Sequence, residues 1–189
     1  MRVVPTSLPE VLLVELDVHR DARGFFVETF HAGRFRDSGL PADFAQDNHS
    51  RSVRGTLRGF HAQARRPQGK LVRVVAGEVY DVAVDVRRGS PTWLRWTANV
   101  LSADAARMLW VPPGFAHGFC VTSGSADVEY KCTAPWDPQD EVRIAWDDPR
   151  IGVRWPVEAP LLSEGDRAAP RVEAVEARLP RWSPRAAPS

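Results

Sequence analysis

The sequence predicts an all-β sandwich or barrel. Glycine and proline, 13 and 16 of the 189 residues, punctuate the whole chain instead of collecting in one linker. The runs between them are short and rich in β-branched and aromatic residues. Only one internal segment has convincing helical spacing. At 43% hydrophobic and 26% charged, the chain can close a sizeable core, and long disorder is excluded. Its length fits one domain.

Taken in order, Leu12–Val18 and Phe25–Thr29 read as the first strands, and His31–Ser38 as the helix. Thr56–Phe60, Leu71–Val75, Val79–Val86, Leu94–Leu101, Met108–Val111, Phe119–Thr122, Asp127–Thr133 and Val142–Ala145 follow as strands. Turn chemistry separates them at Ala76-Gly77-Glu78, Arg88-Gly89-Ser90-Pro91 and Ser123-Gly124-Ser125. Alternation along Val79–Val86 puts Val79, Asp81, Ala83 and Asp85 on one face and Tyr80 with three valines on the other. The polar face is expected to look onto water or a solvated cavity. Ser102–Arg107 reads as a short turn and Glu173–Arg178 as a marginal helix. From Leu179 the composition predicts a frayed tail. This organises the chain as one domain with an N-terminal arm over residues 1–170 and a partly disordered C-terminal extension over residues 171–189.

Lys+Arg 25 against Asp+Glu 24 leaves a net charge of +1, and the arginines are scattered among acids, which argues against a nucleic-acid partner. No stretch approaches the length of a membrane span, and Glu15, Asp17, His19, Arg20, Asp21 and Arg23 interrupt the apolar residues near the start. A soluble, cytoplasmic protein without a membrane partner is expected. Cys120 and Cys132 have no paired-ligand spacing, so they read as buried thiols of a reducing compartment. Among the 25 basic residues only Lys70 and Lys131 are lysines, so each merits attention as a compact point charge.

Two histidines stand in suggestive settings: His61 in Arg58-Gly59-Phe60-His61-Ala62-Gln63, and His117 in Pro112-Pro113-Gly114-Phe115-Ala116-His117-Gly118-Phe119. Taken alone, His61 is as readily a core histidine as a catalytic base, and His117 a hydrogen-bonded structural histidine or a polar binding group. The second segment resembles the P-x-G-x-x-H element of the cupin superfamily of small jelly-roll barrels. Metal-binding cupins pair it with H-x-H and a following glutamate, whereas Gln63 occupies the second position here. A catalytic metal needs about three protein ligands, so a jelly-roll (cupin-type) fold without its metal is expected.

Gly24–Phe30, Gln46–Ser50, Leu57–Gln63, Gln68–Val74, Asp81–Arg87, Ser90–Thr92, Gly114–Phe119, Glu129–Lys131, Trp146–Pro149, Trp155-Pro156 and Leu162–Asp166 resemble, in order, the successive signatures of the dTDP-4-dehydrorhamnose 3,5-epimerase family. The resemblance implies inversion of C3 and C5 of dTDP-4-dehydro-6-deoxy-D-glucose through enolates, without a cofactor. It implies His61 as base, Asp166 as the carboxylate that orients it, Tyr130 as the opposing acid and Lys70 as the enolate's cation. It also implies substrate contacts from Arg23, Glu28, Gln46, Asn48, Arg58, His117, Trp136 and Glu141, and a homodimer. On their own residues, Asp166 reads better as a turn or helix-cap aspartate, Tyr130 as core or rim packing, Lys70 as a solvated strand-edge charge, and Trp136 as one of 7 tryptophans.

Two departures stand out. The usual R-G-L-H-Y-Q has Ala62 in place of tyrosine, and the usual L-S-x-K-D has Gly165 in place of lysine. Strict alternation would send Arg58 and His61 to opposite faces, so a bulge or twist at Gly59 is required if both are to reach one substrate. Relatives that invert only C3 or only C5 share the same catalytic residues. From other classes, a metal-dependent cupin oxygenase using His61, His117, His49 and a carboxylate, and a non-catalytic nucleotide-sugar binding protein, are the alternatives.

Overall fold

The structure is a computed structural model that describes residues 1–184. Thirteen strands carry it: β1 (Arg2–Pro5), β2 (Leu12–Glu15), β3 (Val18–Asp21), β4 (Gly24–Val27), β5 (Gln46–Val53), β6 (Leu57–Gln63), β7 (Lys70–Ala76), β8 (Glu78–Asp85), β9 (Trp96–Ser102), β10 (Arg107–Val111), β11 (Phe115–Val121), β12 (Ser125–Cys132) and β13 (Glu141–Arg143). The helices are short: α1 (Ala32–Asp37), α2 (Glu164–Arg167) and α3 (Val172–Val175), which runs into a 3-10 turn at Glu176–Arg178.

The strands form a six-stranded sheet, β1-β2-β10-β7-β12-β5, a five-stranded sheet, β13-β6-β11-β8-β9, and a separate hairpin, β3-β4. Every ladder between these strands is antiparallel. The two large sheets pack face to face as a jelly-roll sandwich. Val72, Val74, Leu109 and Val128 of one meet Val79, Ala83, Phe119 and Val121 of the other. Both outer faces are also covered. Phe35 and Leu40 pack on Val14, Leu71, Met108 and Trp110 outside the six-stranded sheet, and Val172, Val175 and Leu179 join Phe60, Val82, Val84 and Val142 outside the other.

That last contact corrects the expected tail. Leu179 is buried, Arg181 bridges to Arg88, and the Trp182 N–H donates to the Arg88 carbonyl at 3.0 Å. Val172, Val175 and Leu179 make a stripe whose burial outweighs the ordering cost of a Pro-rich segment. The remainder of the expected frayed segment, residues 185–189, lies outside the described residues.

Other differences have local causes. The expected strand Leu12–Val18 divides into β2 and β3, so its second half leaves the large sheet for the hairpin. β5 was not expected, because its run Gln-Asp-Asn-His-Ser-Arg-Ser-Val is polar on both faces, as suits an edge strand. β9 starts at Trp96 because Leu94 turns the chain at φ 60°. β8 is buried on both faces, so the expected solvated side is a correction. Asp81 is hydrogen-bonded to His117 at 2.9 Å, and Asp85 accepts from Arg87, Ser90 and Thr92. A carboxylate supplied with such partners tolerates burial that an unpaired one would not. Among the described residues no helix is long and apolar enough to cross a membrane.

Candidate active site

The site begins with two glycines. On the β6–β11 ladder His61 pairs with His117, but Arg58 pairs with Phe119, so β6 carries one extra residue at a bulge. Gly59 is at φ +130°, and a Cβ there would lie 2.5 Å from Gly118 Cα and 2.9 Å from the His117 carbonyl oxygen. A Cβ on Gly118 would in turn lie 2.9 Å from the Arg58 oxygen. Two bare backbones therefore touch where the strand reorients, and beyond that point His61, Ala62 and Gln63 line a pocket.

The pocket has a volume of about 290 Å³. Its walls come from both sheets: His61, Gln63 and Glu141 from the five-stranded one, and Asn48, Lys70, Tyr130 and Cys132 from the six-stranded one. Trp136, on the loop after β12, stands half-exposed at its edge. The loop is held by the Trp136 N–H donating to Gln46 Oε1 at 2.7 Å and the Asp137 N–H donating to Gln63 Oε1 at 2.7 Å.

His61 Nε2 lies 2.6 Å from Asp166 Oδ1. Ser163 caps α2, its Oγ accepting from the Asp166 N–H at 3.1 Å and donating to Asp166 Oδ2 at 2.8 Å. Burial by itself would raise the Asp166 carboxyl. The hydrogen bond and charge of His61, the Ser163 hydroxyl and the Arg143 guanidinium outweigh it and hold Asp166 below the usual carboxylate range. An ionised carboxylate only accepts, so the bonded ring nitrogen carries the proton and the other nitrogen of a neutral imidazole keeps its lone pair.

On the facing sheet, burial pushes the Lys70 ammonium below its ordinary value, against the opposing pull of Cys132, Glu141 and Asp81. Lys131 pairs with Asp47 at 2.9 Å, whereas Lys70 makes no ion pair among the described residues. Burial likewise raises the Tyr130 phenol, with Cys132 adding to the rise and Arg58 opposing it. Burial would raise Glu141 too, but it accepts from Arg143 Nε at 2.7 Å and Trp136 Nε1 at 3.1 Å, and with the charge of His61 these hold it low. The pocket therefore joins a histidine–carboxylate pair, a desolvated ammonium and a protonated phenol. Those are the components for moving a proton at a carbon beside a carbonyl.

Of the residues singled out from sequence, His61, Lys70, Tyr130, Gln46, Asn48, Trp136 and Glu141 line this pocket, and Asp166 stands directly behind His61. Four others lie elsewhere. His117 is buried against Asp81. Arg58 donates to Ser52 Oγ at 3.1 Å. Arg23 pairs with Asp21 on the β3-β4 hairpin, and Glu28 pairs with Arg34 at 2.7 Å. His49 stands exposed beside Asp127 and Glu129 on β5, and among the described residues no group of three or more His, Cys, Asp or Glu side chains is arranged to hold a metal ion.

Sequence reasoning passed over Gln63, Gln68, Cys132 and Ser163. Gln63 was weighed only as a missing metal ligand. Its amide instead donates to the Arg66 and Pro135 carbonyls at 2.9 and 3.3 Å, fixing the loops that frame the pocket. The Ser-x-x-Asp spacing was the available signal for Ser163.

Comparison with known proteins gives a consistent result. The family described as dTDP-4-dehydrorhamnose 3,5-epimerase matches residues 5–174. A dTDP-4-dehydrorhamnose 3,5-epimerase of Pseudomonas aeruginosa is 52% identical over 169 residues, covering 88% of this chain and 93% of the relative. One of Neisseria gonorrhoeae is also 52% identical over 169 residues, which are 89% of this chain but 52% of that relative, so the chain spans about half its length. The solved structure of a dTDP-6-deoxy-D-glucose-3,5-epimerase from Legionella pneumophila Philadelphia 1, in complex with dTDP-4-keto-L-rhamnose, superimposes with a TM-score of 0.93 at 45% identity, covering 97% of this chain and 99% of the other.

Proposed function

Since the chain belongs to the dTDP-4-dehydrorhamnose 3,5-epimerase family, we propose that the pocket around His61 inverts C3 and C5 of dTDP-4-dehydro-6-deoxy-D-glucose. The enzyme is an isomerase, and each inversion is a proton removed and a proton returned. His61 takes the proton from the carbon beside the C4 ketone, breaking the C–H bond and leaving its electron pair in an enolate. Lys70 neutralises the enolate oxygen. Tyr130 delivers a proton to the opposite face as the new C–H bond forms, and solvent restores both groups. The sequence repeats at the second carbon.

The observation that carries this reading is the division of labour between the sheets. A base oriented by Asp166 stands on one, and an acid with a cation stands on the other, so a flat enolate between them meets a proton acceptor on one face and a donor on the other. Gln46, Asn48, Trp136 and Glu141 bind the substrate, with Trp136 stacking on the thymine. Arg23, Glu28, Arg58 and His117 act from outside the pocket's lining. The functional unit is residues 1–170, with residues 171–189 as its extension.

The enzyme works as a homodimer. What supports this is the β3-β4 hairpin, which joins neither large sheet and exposes Phe25 and Phe26 at 62% and 69%. It works in the cytoplasm, a reading supported by Cys120 and Cys132, both free and buried.

The test is incubation with dTDP-4-dehydro-6-deoxyglucose in deuterated water, with deuterium at C3 and C5 read by NMR. Label at both carbons and an L-configured product are expected. Label at one carbon would reduce the activity to a mono-epimerisation, and no label above the enzyme-free control would reject the reading.

A further inference from the structure

Gly165 has no side chain because another residue fills its place. A Cβ there would overlap Arg143 Nη1 and lie 2.8 Å from Arg143 Cζ, so the guanidinium lies directly on the backbone of α2, one residue before Asp166. Arg143 also pairs with His61 across the β13–β6 ladder. Residues directly opposite in an antiparallel ladder share a face, so Arg143 projects on the same side as the base.

The guanidinium is tethered at one edge. Its Nε donates to Glu141 Oε2 at 2.7 Å, and its two Nη groups make no hydrogen bond among the described residues. The side chain is 39% exposed. A planar cation fixed at Nε on a part-exposed side chain, with no acceptor for its Nη groups among the described residues, is preorganised for an acceptor of the carboxylate or phosphate kind. Glu141, which holds it, is itself a wall of the pocket.

We infer that Arg143 is a substrate-binding residue that grips the diphosphate of the nucleotide-sugar, and that glycine at position 165 is the vacancy that lets it lie there. The inference rests on the epimerase reading above, since it takes the diphosphate from that substrate. Phosphoryl oxygens fit better than a sugar hydroxyl, because the Nη groups without an acceptor are donors only and carry charge.

Calorimetric titration with dTDP tests it on the full-length protein, with thermal melts as the folding control. Arg143→Gln is expected to weaken dTDP binding by about ten- to a hundredfold and to raise KM more than it lowers kcat, while Arg143→Lys keeps part of the affinity. Thymidine, which lacks the phosphates, should bind the parent and Arg143→Gln alike. The double variant Arg143→Gly with Gly165→Lys returns a cation from the helix side and should recover most of the loss. Should Arg143→Gln melt early, Gly165→Ala reads the same contact, since its Cβ displaces the guanidinium and dTDP binding should fall there too.

Unchanged dTDP affinity in Arg143→Gln or in Gly165→Ala, in an enzyme that still labels C3 and C5, overturns this inference and leaves the epimerase reading standing. A fall in kcat without a change in dTDP affinity also overturns it, by making Arg143 a positioning residue for the His61–Asp166 pair. A parent protein that neither binds dTDP nor exchanges deuterium overturns both.

Discussion

His61 Nε2 and Asp166 Oδ1 lie 2.6 Å apart although 105 positions separate the two residues in the chain. One stands on β6 after a bulge, the other on a one-turn helix capped by Ser163. Neither local geometry depends on the other, yet the sandwich brings them into hydrogen-bond contact. A buried carboxylate there has one evident chemical use, to hold the ring in one tautomer and stabilise its charged form.

Replacing Asp166 by asparagine should therefore lower kcat on the order of 10³-fold while leaving the fold intact. Rates of deuterium incorporation at C3 and C5, beside a circular dichroism spectrum, check this. An Asp166→Asn enzyme within tenfold of the parent would mean that the pair is structural.

The same carboxylate makes a pH prediction for stability. Its folded pKa lies below the usual value of 3.8, so folding favours the ionised form. The stabilisation is complete above the unfolded value and is lost as pH falls through the folded one. Urea unfolding between pH 3 and 7 should show the parent losing stability below about pH 4 faster than Asp166→Asn. Parallel curves would show that the carboxylate adds nothing to the fold.

Tyr130→Phe separates the two half-reactions. With His61 intact the proton still leaves and solvent deuterium returns on the same face, so exchange continues while inversion falls about 10²- to 10⁴-fold. NMR of recovered substrate distinguishes labelled substrate of unchanged configuration from labelled product. Equal loss of exchange and inversion would remove Tyr130 from the acid role.

In the proposed mechanism Lys70 serves the reaction at a cost to the fold, since burial disfavours its charged form. Replacing this desolvated ammonium with methionine should leave the melting temperature unchanged or higher while turnover falls about 10²- to 10³-fold. A drop in both would mark Lys70 as a structural residue.

Gly59→Ala should destabilise the protein by about 2–4 kcal/mol. Its Cβ would meet Gly118 at a φ of +130° that alanine avoids. Denaturant midpoints compared with Gly124→Ala, whose Cβ would meet nothing within 4 Å, isolate the effect. Equal midpoints for the two variants would show that the β6–β11 approach tolerates a side chain.

Much of this was legible in the chain itself. Period-two alternation and turn residues determined the all-β class and most of the central strands, because those signals are local and strong in β7, β8, β10 and β12. The order of short motifs determined the family and pointed to His61, Asp166, Lys70 and Tyr130. Edge and polar elements were not legible: β5 pairs through its backbone and polar side chains and carries no apolar stripe, and β1 is too short to signal itself.

Only the tertiary structure decided which of the marked residues share a pocket. It set His117 against Asp81 and left Arg23 and Glu28 on the outer hairpin and its sequel. It also turned the missing lysine at Gly165 into a seat for Arg143. The physical reason is range. Backbone preference and hydrophobic period act over a few residues, whereas these contacts depend on how two sheets pack and where a bulge redirects a strand.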